Sequence, residues 1–209
     1  MFARHRPILI LALLLVGPVA GPVAAAGDGP AGKEICRLAA DRAERAWRIP
    51  RQLLGAIARA ESGRYDARTR ASFAWPWTVQ AAGRSRYLPD KASAIAAVRR
   101  LRARGVRNID VGCMQISLLH HGDAFRTLEQ AFDPAGNADY AGRFLTALKQ
   151  ELRSWSRAIA TYHSRTPALN KPYARKVMAL WRDERHLAYL ARAEANRRAV
   201  LARRARAPG

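Results

Sequence analysis

Apolar residues recur at helical spacing along most of the chain, with short polar breaks between the runs. The pattern predicts six main helices, over residues 33–48, 50–61, 91–104, 134–152, 154–163 and 171–181. Ile49-Pro50 separates the first two helices, and Gly63 is expected to cap the second in the left-handed conformation. Asp90 caps the arginine-rich third helix, which ends at Gly105.

Two stretches depart from this helical pattern. β-type residues flank Ala82-Gly83, which predicts a short hairpin within "WPWTVQAAGRSRYLP". The segment from Asp110 to Leu119 is expected to be a connector that enters a short helix. The chain is therefore predicted to be mostly α, with one small β-hairpin insertion.

The N-terminus has the layout of a secretory signal peptide. Arg4 and Arg6 precede the apolar run Ile8–Val16, and three alanines supply small residues for cleavage before Gly27. An uncleaved membrane anchor is the alternative, although Gly-Pro pairs interrupt the apolar stretch. We predict a signal peptide over residues 1–26 and a soluble chain exported to the periplasm, with no membrane span after cleavage.

The chain is strongly basic. Its formal charge is +21, and removal of Arg4 and Arg6 with the signal peptide leaves +19. Such a charge favours polyanionic partners, or it serves solubility alone. Export argues against nucleic acid, and no nucleic-acid-binding module is recognisable in the sequence. The predicted charge partners are therefore an anionic cell-wall polymer or membrane lipid.

Residues 182–209 contain eight arginines and three acids but few large apolar residues. This composition predicts a helical extension outside the core. Charge would attach the extension to the wall or the membrane, or the extension would dock onto an envelope machine such as a secretion system or a flagellum.

Two cysteines, Cys36 and Cys113, remain after signal removal. An even number in an exported protein suggests one disulfide, which would tie the first helix to the segment "DVGCMQI". It would close a loop of about 76 residues and stabilise the fold by about 4 kcal/mol. The alternative is a pair of buried free thiols.

A single carboxylate ends the apolar row of the second predicted helix. Leu53, Ile57 and Glu61 follow one another at steps of four, so the carboxylate faces the core. Burial and the helix C-terminus both disfavour its negative charge and raise its pKa. Glu61 either bends out to water or to an arginine, or it is an acid held ready to donate a proton near neutral pH.

Three segments, "AIARAESG", "DVGCMQIS" and "AIATYHS", occur in that order. Together they resemble the lysozyme-like superfamily, and most closely the soluble-type lytic transglycosylases (SLT domain). The matching elements are Glu61-Ser62, the run Gly112–Ile116, and Tyr162-His163. The resemblance covers residues 33–181 and implies an α+β lysozyme-like catalytic domain. Residues 64–109 are then an insertion that holds the hairpin and the basic helix.

The resemblance implies an enzyme that needs no cofactor and cleaves the β-1,4 bond between N-acetylmuramic acid (MurNAc) and N-acetylglucosamine (GlcNAc) in peptidoglycan. Glu61 matches the catalytic acid, which protonates the glycosidic oxygen. As a carboxylate, it then takes the proton from the 6-hydroxyl of MurNAc, and a 1,6-anhydro product forms without water. A third possibility, from another class, is a protein that binds peptidoglycan without turnover.

Asp110 is the second candidate for catalysis. "DVGCMQIS" also resembles the D-x-G-x-x-Q-I element of c-type lysozymes, in which the aspartate stabilises or captures the positively charged sugar. Glu61 and Asp110 would then form a hydrolytic muramidase, which requires carboxyl groups about 5 Å apart. The alternative is that Asp110 caps the turn into a following helix.

Five further residues match family positions that line the saccharide cleft: Ser62, Met114, Gln115, Tyr162 and His163. Ser62 bonds the catalytic carboxyl or caps its helix, and Met114 lines the cleft or fills the core. The amide of Gln115 suits the acetamido groups of both sugars. The hydroxyl of Tyr162 reaches Glu61 or the substrate, or is satisfied by backbone.

The chain departs from the family pattern at two polar positions. His163 and Ser117 stand where asparagine is usual, which leaves the sugar contacts there open.

Trp75 and Trp77 in the hairpin either stack on sugar rings or pin the hairpin to the helices. Adjacent histidines point apart, so we predict no metal site at His120-His121.

Overall fold

The computed structural model describes the backbone of residues 30–206 and their side chains, except those of residues 30, 31, 33, 204 and 206. The predicted signal peptide and the start near Gly27 lie outside these residues. Within the described range, seven α-helices make up most of the structure, which confirms the mostly α prediction. They are α1 (Pro30–Ala46), α2 (Leu53–Ser62), α3 (Lys91–Ala103), α4 (Leu128–Ala131), α5 (Pro134–Leu152), α6 (Trp155–His163) and α7 (Pro167–Arg206).

Side-chain caps start three of these helices at the predicted positions. The carboxylates of Asp90 and Asp133 and the hydroxyl of Ser154 each accept a backbone N–H from the first turn of α3, α5 and α6. Such a cap satisfies one of the N–H groups that have no partner inside the helix. Short polar residues before an apolar run therefore predict these helix starts correctly.

Helix α2, which carries Glu61, begins later than predicted and ends differently. Pro50 lies in a turn before the helix, and the buried carboxylate of Glu44 on α1 accepts the N–H of Leu54 at 2.8 Å. The start of α2 is thus fixed by α1. The predicted left-handed cap is wrong, because Gly63 is extended, with φ −61° and ψ 117°. Gly63 serves close approach instead, since a Cβ there would collide with the carbonyl oxygen of Arg59.

Within residues 30–206, short strands form two antiparallel sheets. The sequence predicts the hairpin that turns at Ala82-Gly83, which is confirmed, but not the remaining strands. The small sheet pairs β1 (Gly63–Asp66) with β2 (Ala71–Ala74). The larger sheet has the order β4-β3-β5-β6 and consists of β3 (Thr78–Ala81), β4 (Arg84–Tyr87), β5 (Ile109–Val111) and β6 (Ile116–Ser117).

The predicted connector at residues 110–119 is wrong, because the β5–β6 hairpin occupies this segment. The short helix that it is expected to enter is present as a 3-10 helix at Gly122–Ala124. Asp110 on β5 pairs with Gln80 on β3 and with Ser117 on β6. Strands of two or three residues are too short to show alternation in the sequence. Their position depends on β3, which lies far away in the chain.

Two hydrophobic cores hold the structure together, one among the helices and one between α3 and the larger sheet. Trp75 is fully buried and Trp77 is 8% exposed in the second core. The indole N–H of Trp75 donates to the carbonyl oxygen of Leu88 at 2.7 Å. These tryptophans therefore pin the sheet to its surroundings and offer little surface on which a sugar could stack.

A disulfide joins Cys36 on α1 to Cys113 in the turn between β5 and β6, as expected from the even cysteine count. Their Cα atoms lie 5.6 Å apart, and both residues are fully buried. The bond closes a long loop and so restricts the unfolded chain. It also fixes the β5–β6 turn against the helical core.

Helix α7 is continuous from Pro167 to Arg206 and so exceeds the predicted helix at residues 171–181 in both directions. Pro172 lies inside it and does not begin it. The predicted C-terminal extension continues the same helix, and a salt bridge of 2.7 Å between Glu184 and Arg59 ties the first part of this extension to α2. No helix between residues 30 and 206 has both the length and the apolar character needed to cross a membrane.

Candidate active site

Glu61 lies in the last turn of α2, beside the first half of α7. Its side chain is half-buried, and its Oε1 accepts a hydrogen bond of 2.6 Å from the hydroxyl of Tyr173. One turn later on α7, the ammonium group of Lys176 donates to the carbonyl oxygen of Ala60 at 2.6 Å. Helix α7 thus supplies both a hydrogen-bond donor and a positive charge to the end of α2.

The pKa of Glu61 is raised to about 7. Burial is the largest cause, because it disfavours the ionised form. The hydrogen bond from Tyr173 and the charge of Lys176 lower the pKa, and the negative charge of Asp110 raises it further. A carboxyl group with this pKa exchanges a proton readily at neutral pH.

Asp110 is half-buried on β5, and its carboxylate acts electrostatically on Glu61. Burial raises the pKa of Asp110, while a hydrogen bond with Ser117 and the charges of His120 and His163 lower it. The predicted alternative, in which Asp110 caps a following helix, is wrong, since the residue lies within a sheet. Two carboxyl groups of different environment therefore share one region of the structure.

His163 ends α6, and its ring stacks on the ring of Tyr173. The ring centroids lie 4.6 Å apart, and the planes are inclined by 10°. Burial lowers the pKa of His163, the carboxylate of Asp110 raises it, and Lys176 lowers it. The residue remains exposed, so its imidazole is available to a ligand beside the pair Tyr173–Glu61.

Ser62 and Met114, both predicted to contact substrate, have fully buried side chains. The hydroxyl of Ser62 is placed to donate to two carbonyl oxygens, that of Cys113 at 2.7 Å and that of Ala58 at 3.1 Å. Ser62 thus connects α2 to the β5–β6 turn and does not bond Glu61. Neither side chain has surface that a sugar could touch, so both residues support the site from behind.

The hydroxyl of Tyr162 donates to the carbonyl oxygen of Met114 at 3.1 Å. The expected bond from Tyr162 to Glu61 is therefore wrong, and Tyr173 makes that bond. Burial and the nearby Glu61 raise the pKa of Tyr162 well above its ordinary value. The Tyr162 ring also contacts Phe144 on α5 at a centroid distance of 5.6 Å. The backbone-satisfied alternative describes Tyr162 correctly.

Gln115 occupies the β5–β6 turn in a left-handed conformation, with φ 46°. Its Nε2 donates to the carbonyl oxygens of Gly112 at 2.9 Å and Thr78 at 3.2 Å. Its Oε1 is buried and has no hydrogen-bond partner. The amide therefore braces the turn from within, and its oxygen is enclosed by protein.

Asn137, which the sequence did not single out, anchors this turn from α5. Its Oδ1 accepts the N–H of Met114 at 2.9 Å, and its Nδ2 donates to the carbonyl oxygens of Val111 at 3.1 Å and Ala131 at 3.0 Å. Gly112, with φ 82°, approaches so closely that a Cβ would lie 2.6 Å from the amide nitrogen of Asn137. This fully buried amide holds the strand–turn–strand unit that carries Asp110 and Gln115.

Tyr173 and Lys176 are likewise absent from the sequence-based site. Tyr173 and Val177 form a buried step of four on α7, a pattern that places a tyrosine on the inner face of a helix. Nothing in the pattern links this tyrosine to Glu61, because 112 residues separate them.

His120 and His121, at which we predict no metal site, lie in different environments. Nδ1 of His121 lies 2.9 Å from the hydroxyl of Tyr140, whereas His120 is exposed and acts on Asp110. Across residues 30–206, no three histidine, cysteine or acidic side chains come together in a group that could hold a metal ion.

Comparison with protein families gives a match to the transglycosylase SLT domain over residues 39–178. The chain belongs to the transglycosylase SLT domain family. The matched range contains Glu61, Asp110 and Tyr173, and the family's function is of the peptidoglycan lytic transglycosylase type. Neither the curated proteins nor the solved structures yield a significant match. The lysozyme-like resemblance of the sequence is thereby confirmed at the level of the family.

Proposed function

We propose that this SLT-domain protein cleaves the MurNAc-β-1,4-GlcNAc bond of peptidoglycan and forms 1,6-anhydroMurNAc. The observation that carries the proposal is the half-buried Glu61 at a helix end, whose pKa of about 7 leaves both protonation states populated near neutrality. A general acid that later acts as a base needs this property.

The protonated carboxyl of Glu61 donates its proton to the glycosidic oxygen as the bond from that oxygen to the anomeric carbon of MurNAc breaks. The 6-hydroxyl oxygen of the same sugar then bonds to the anomeric carbon and loses its proton to the Glu61 carboxylate. The acid is regenerated and no water is consumed. Tyr173 holds the carboxylate oxygen through its 2.6 Å hydrogen bond, and the carboxylate of Asp110 stabilises the positive charge that develops on the sugar.

A hydrolytic muramidase is the second candidate, because Glu61 and Asp110 influence each other electrostatically. In that reaction Asp110 bonds to the anomeric carbon, and water then releases the sugar from it. The proposals differ in their products, since only hydrolysis adds the elements of water.

Mass spectrometry of the soluble products from purified peptidoglycan tests both candidates. The variants are Glu61→Gln, which removes the titrating proton, and Glu129→Gln, a control at an exposed acid paired with Arg99. We expect anhydro-muropeptides from the wild type and the control, and a reduction of about a thousandfold with Glu61→Gln. Products heavier by one water would favour the muramidase and make Asp110→Asn the next variant. If neither the wild type nor the control gave products, the non-catalytic peptidoglycan-binding alternative would be favoured.

We further propose that the chain is exported to the periplasm, loses residues 1–26, and is held to anionic wall or membrane by the basic end of α7. N-terminal sequencing of the secreted protein tests the processing, with a start near Gly27 expected. Attachment through exposed arginines weakens as salt rises, because such charges are screened beyond about 8 Å at physiological ionic strength. Cosedimentation with purified wall that stays constant from low to high salt would contradict this attachment.

A further inference from the structure

A groove of about 800 Å³ lies between the body and the C-terminal half of α7. Its body side consists of α1, the turn before α2 and the first turn of α2, and its other wall is α7 from Glu184 to Arg192. None of its lining residues belongs to the candidate active site. The groove therefore offers a second binding surface, whose role goes beyond the proposed cleavage reaction.

Among the described residues, four arginines in this groove have no acidic partner. Arg45, Arg48 and Arg51 line the body side and Arg192 lines α7, and no described carboxylate lies within ion-pair distance of them. The acids of the groove are already engaged. Asp41 pairs with Arg37 at 3.0 Å, Glu184 pairs with Arg59 at 2.7 Å, and Glu44 accepts backbone N–H groups. The available charge of the groove is therefore positive.

The turn that presents two of these arginines is held in a strained conformation. Arg48 and Gln52 have φ of 52° and 64°, in the left-handed region that non-glycine residues rarely adopt. The buried carboxylate of Glu44 accepts the N–H of Gln52 at 2.8 Å, and the carbonyl oxygen of Glu44 accepts the N–H of Ile49 at 2.9 Å. Strain of this kind persists only where the surroundings enforce it, and it positions Arg48 and Arg51 before any ligand arrives.

Between Glu184 and Arg192, the opposite wall is apolar. Leu187 is 56% exposed, and Ala188 and Ala191 lie along the same stretch of α7. A flat membrane surface cannot enter a concave groove, and a phosphate polymer makes no use of an exposed leucine. A peptide that alternates carboxylates with apolar side chains complements both walls.

We propose that this groove binds an acidic, amphipathic peptide segment of a partner protein. Its carboxylates pair with Arg45, Arg48, Arg51 and Arg192, and its apolar side chains cover Leu187 and Ala191. The volume of the groove lies within the range of about 300–1,000 Å³ that is typical of ligand-binding pockets.

The first test fills the groove without changing charge. Ala191→Trp places a large ring in the groove, and Ala199→Trp places the same ring on an exposed position two turns further along α7. The probe is a fluorescein-labelled helical peptide of about 18 residues built from glutamate and leucine, with a glutamine-for-glutamate version as its control. Fluorescence anisotropy with the purified protein measures the affinity.

We expect Ala191→Trp to weaken binding of the acidic peptide about tenfold, Ala199→Trp to change it less than about twofold, and the glutamine version to bind poorly to all three proteins. Equal affinity of the two tryptophan variants would overturn the proposal, because binding would then reflect general charge attraction.

The second test reverses charge inside and outside the groove. Arg45→Glu with Arg51→Glu changes the net charge by the same amount as Arg102→Glu with Arg104→Glu at the C-terminal end of α3, outside the groove, and all four side chains are exposed. We expect only the groove pair to weaken peptide binding by about tenfold or more. Polyphosphate and anionic phospholipid vesicles serve as competing probes. If either of them is sensitive to Ala191→Trp while the peptide is not, the occupant is not a protein segment and the proposal fails.

Discussion

The hydroxyl of Tyr173 donates a hydrogen bond of 2.6 Å to Oε1 of Glu61, and this contact joins α7 to the end of α2. Burial raises the pKa of Glu61, and the bond from Tyr173 lowers it. The tyrosine thereby counters part of the effect of burial and orients the carboxyl group. Because His163 stacks on the same tyrosine ring, one residue connects the acid to the exposed part of the site.

Tyr173→Phe removes this donor and keeps the ring. We expect the pKa of Glu61 to rise by about one unit, because the lost bond favoured the ionised form. The limb of the pH–rate profile that reports Glu61 shifts to higher pH, and activity falls about tenfold as the carboxyl loses its orientation. Initial rates of peptidoglycan release between pH 5 and pH 9 measure both effects. Tyr162→Phe is the matched control, since its hydroxyl donates to Met114, and a shift of equal size in that variant would contradict the assignment.

Glu61→Gln should stabilise the protein in a pH-dependent manner. The pKa of Glu61 is about 7 in the folded protein and 4.5 in the reference state, so the folded protein binds the proton more tightly than the unfolded chain does. The ionised carboxyl therefore costs stability that develops as pH rises from about 4.5 to 7 and stays constant above. We expect the variant to exceed the wild type by about 2–3 kcal/mol at pH 8 and to match it below pH 4. Urea unfolding across this range provides the measurement, and a difference that does not vary with pH would contradict the buried-acid assignment.

Glu44→Gln should destabilise the protein most clearly near pH 4, although the amide has nearly the same shape as the carboxyl group. Both carboxylate oxygens of Glu44 accept backbone N–H groups, one from Gln52 and the other from Leu54, each at 2.8 Å. An amide replaces one acceptor by a donor and leaves a backbone N–H without a partner, which costs about 1–3 kcal/mol. Urea unfolding at pH 4 measures the change. Burial raises the pKa of Glu44 to about 7, so at pH 8 the variant also removes the cost of a buried ionised carboxyl group, which offsets the loss. Glu34→Gln on the exposed part of the same helix should change stability by less than about 0.5 kcal/mol.

Gly112→Ala should cost more stability than Gly83→Ala. Both glycines have positive φ, 82° and 72°, so alanine is strained at either position. Only at Gly112 would the new Cβ also meet the amide of Asn137, at 2.6 Å, whereas nothing lies within 4 Å at Gly83. We expect losses of about 1 kcal/mol at Gly83 and about 3 kcal/mol or more at Gly112. Thermal unfolding distinguishes the two, and equal losses would mean that Asn137 moves aside without cost.

The sequence predicts those parts of the fold that depend on local interactions. Asp90, Asp133 and Ser154 mark helix starts because a cap bonds within its own first turn. The position of Glu61 on the apolar row of α2 follows from helical spacing alone. Its burial and raised pKa are consequences of that row.

The rest depends on pairs that are distant in the chain. Strands β5 and β6 form because β3 supplies partners for them, and Tyr173 becomes a site residue only after α7 folds back on α2. The left-handed cap predicted at Gly63 is wrong for the same reason, since the extended chain there leads directly into β1 and its pairing with β2. Family motifs identify Ser62 on α2 and Met114 in the β5–β6 turn but not their roles, because burial decides that both side chains face inward.

The length of helix α7 has a mechanical consequence for the proposed function. This helix carries Tyr173 beside Glu61 and runs without a break to Arg206. The distance from Tyr173 to Arg206 along the helix is about 50 Å at 1.5 Å per residue. Under the proposed attachment, a surface that binds the distal end also sets the height and the orientation at which Glu61 meets a glycan strand. Under the same proposal, shortening the helix by whole turns would move Glu61 relative to the bound surface in steps of about 5 Å.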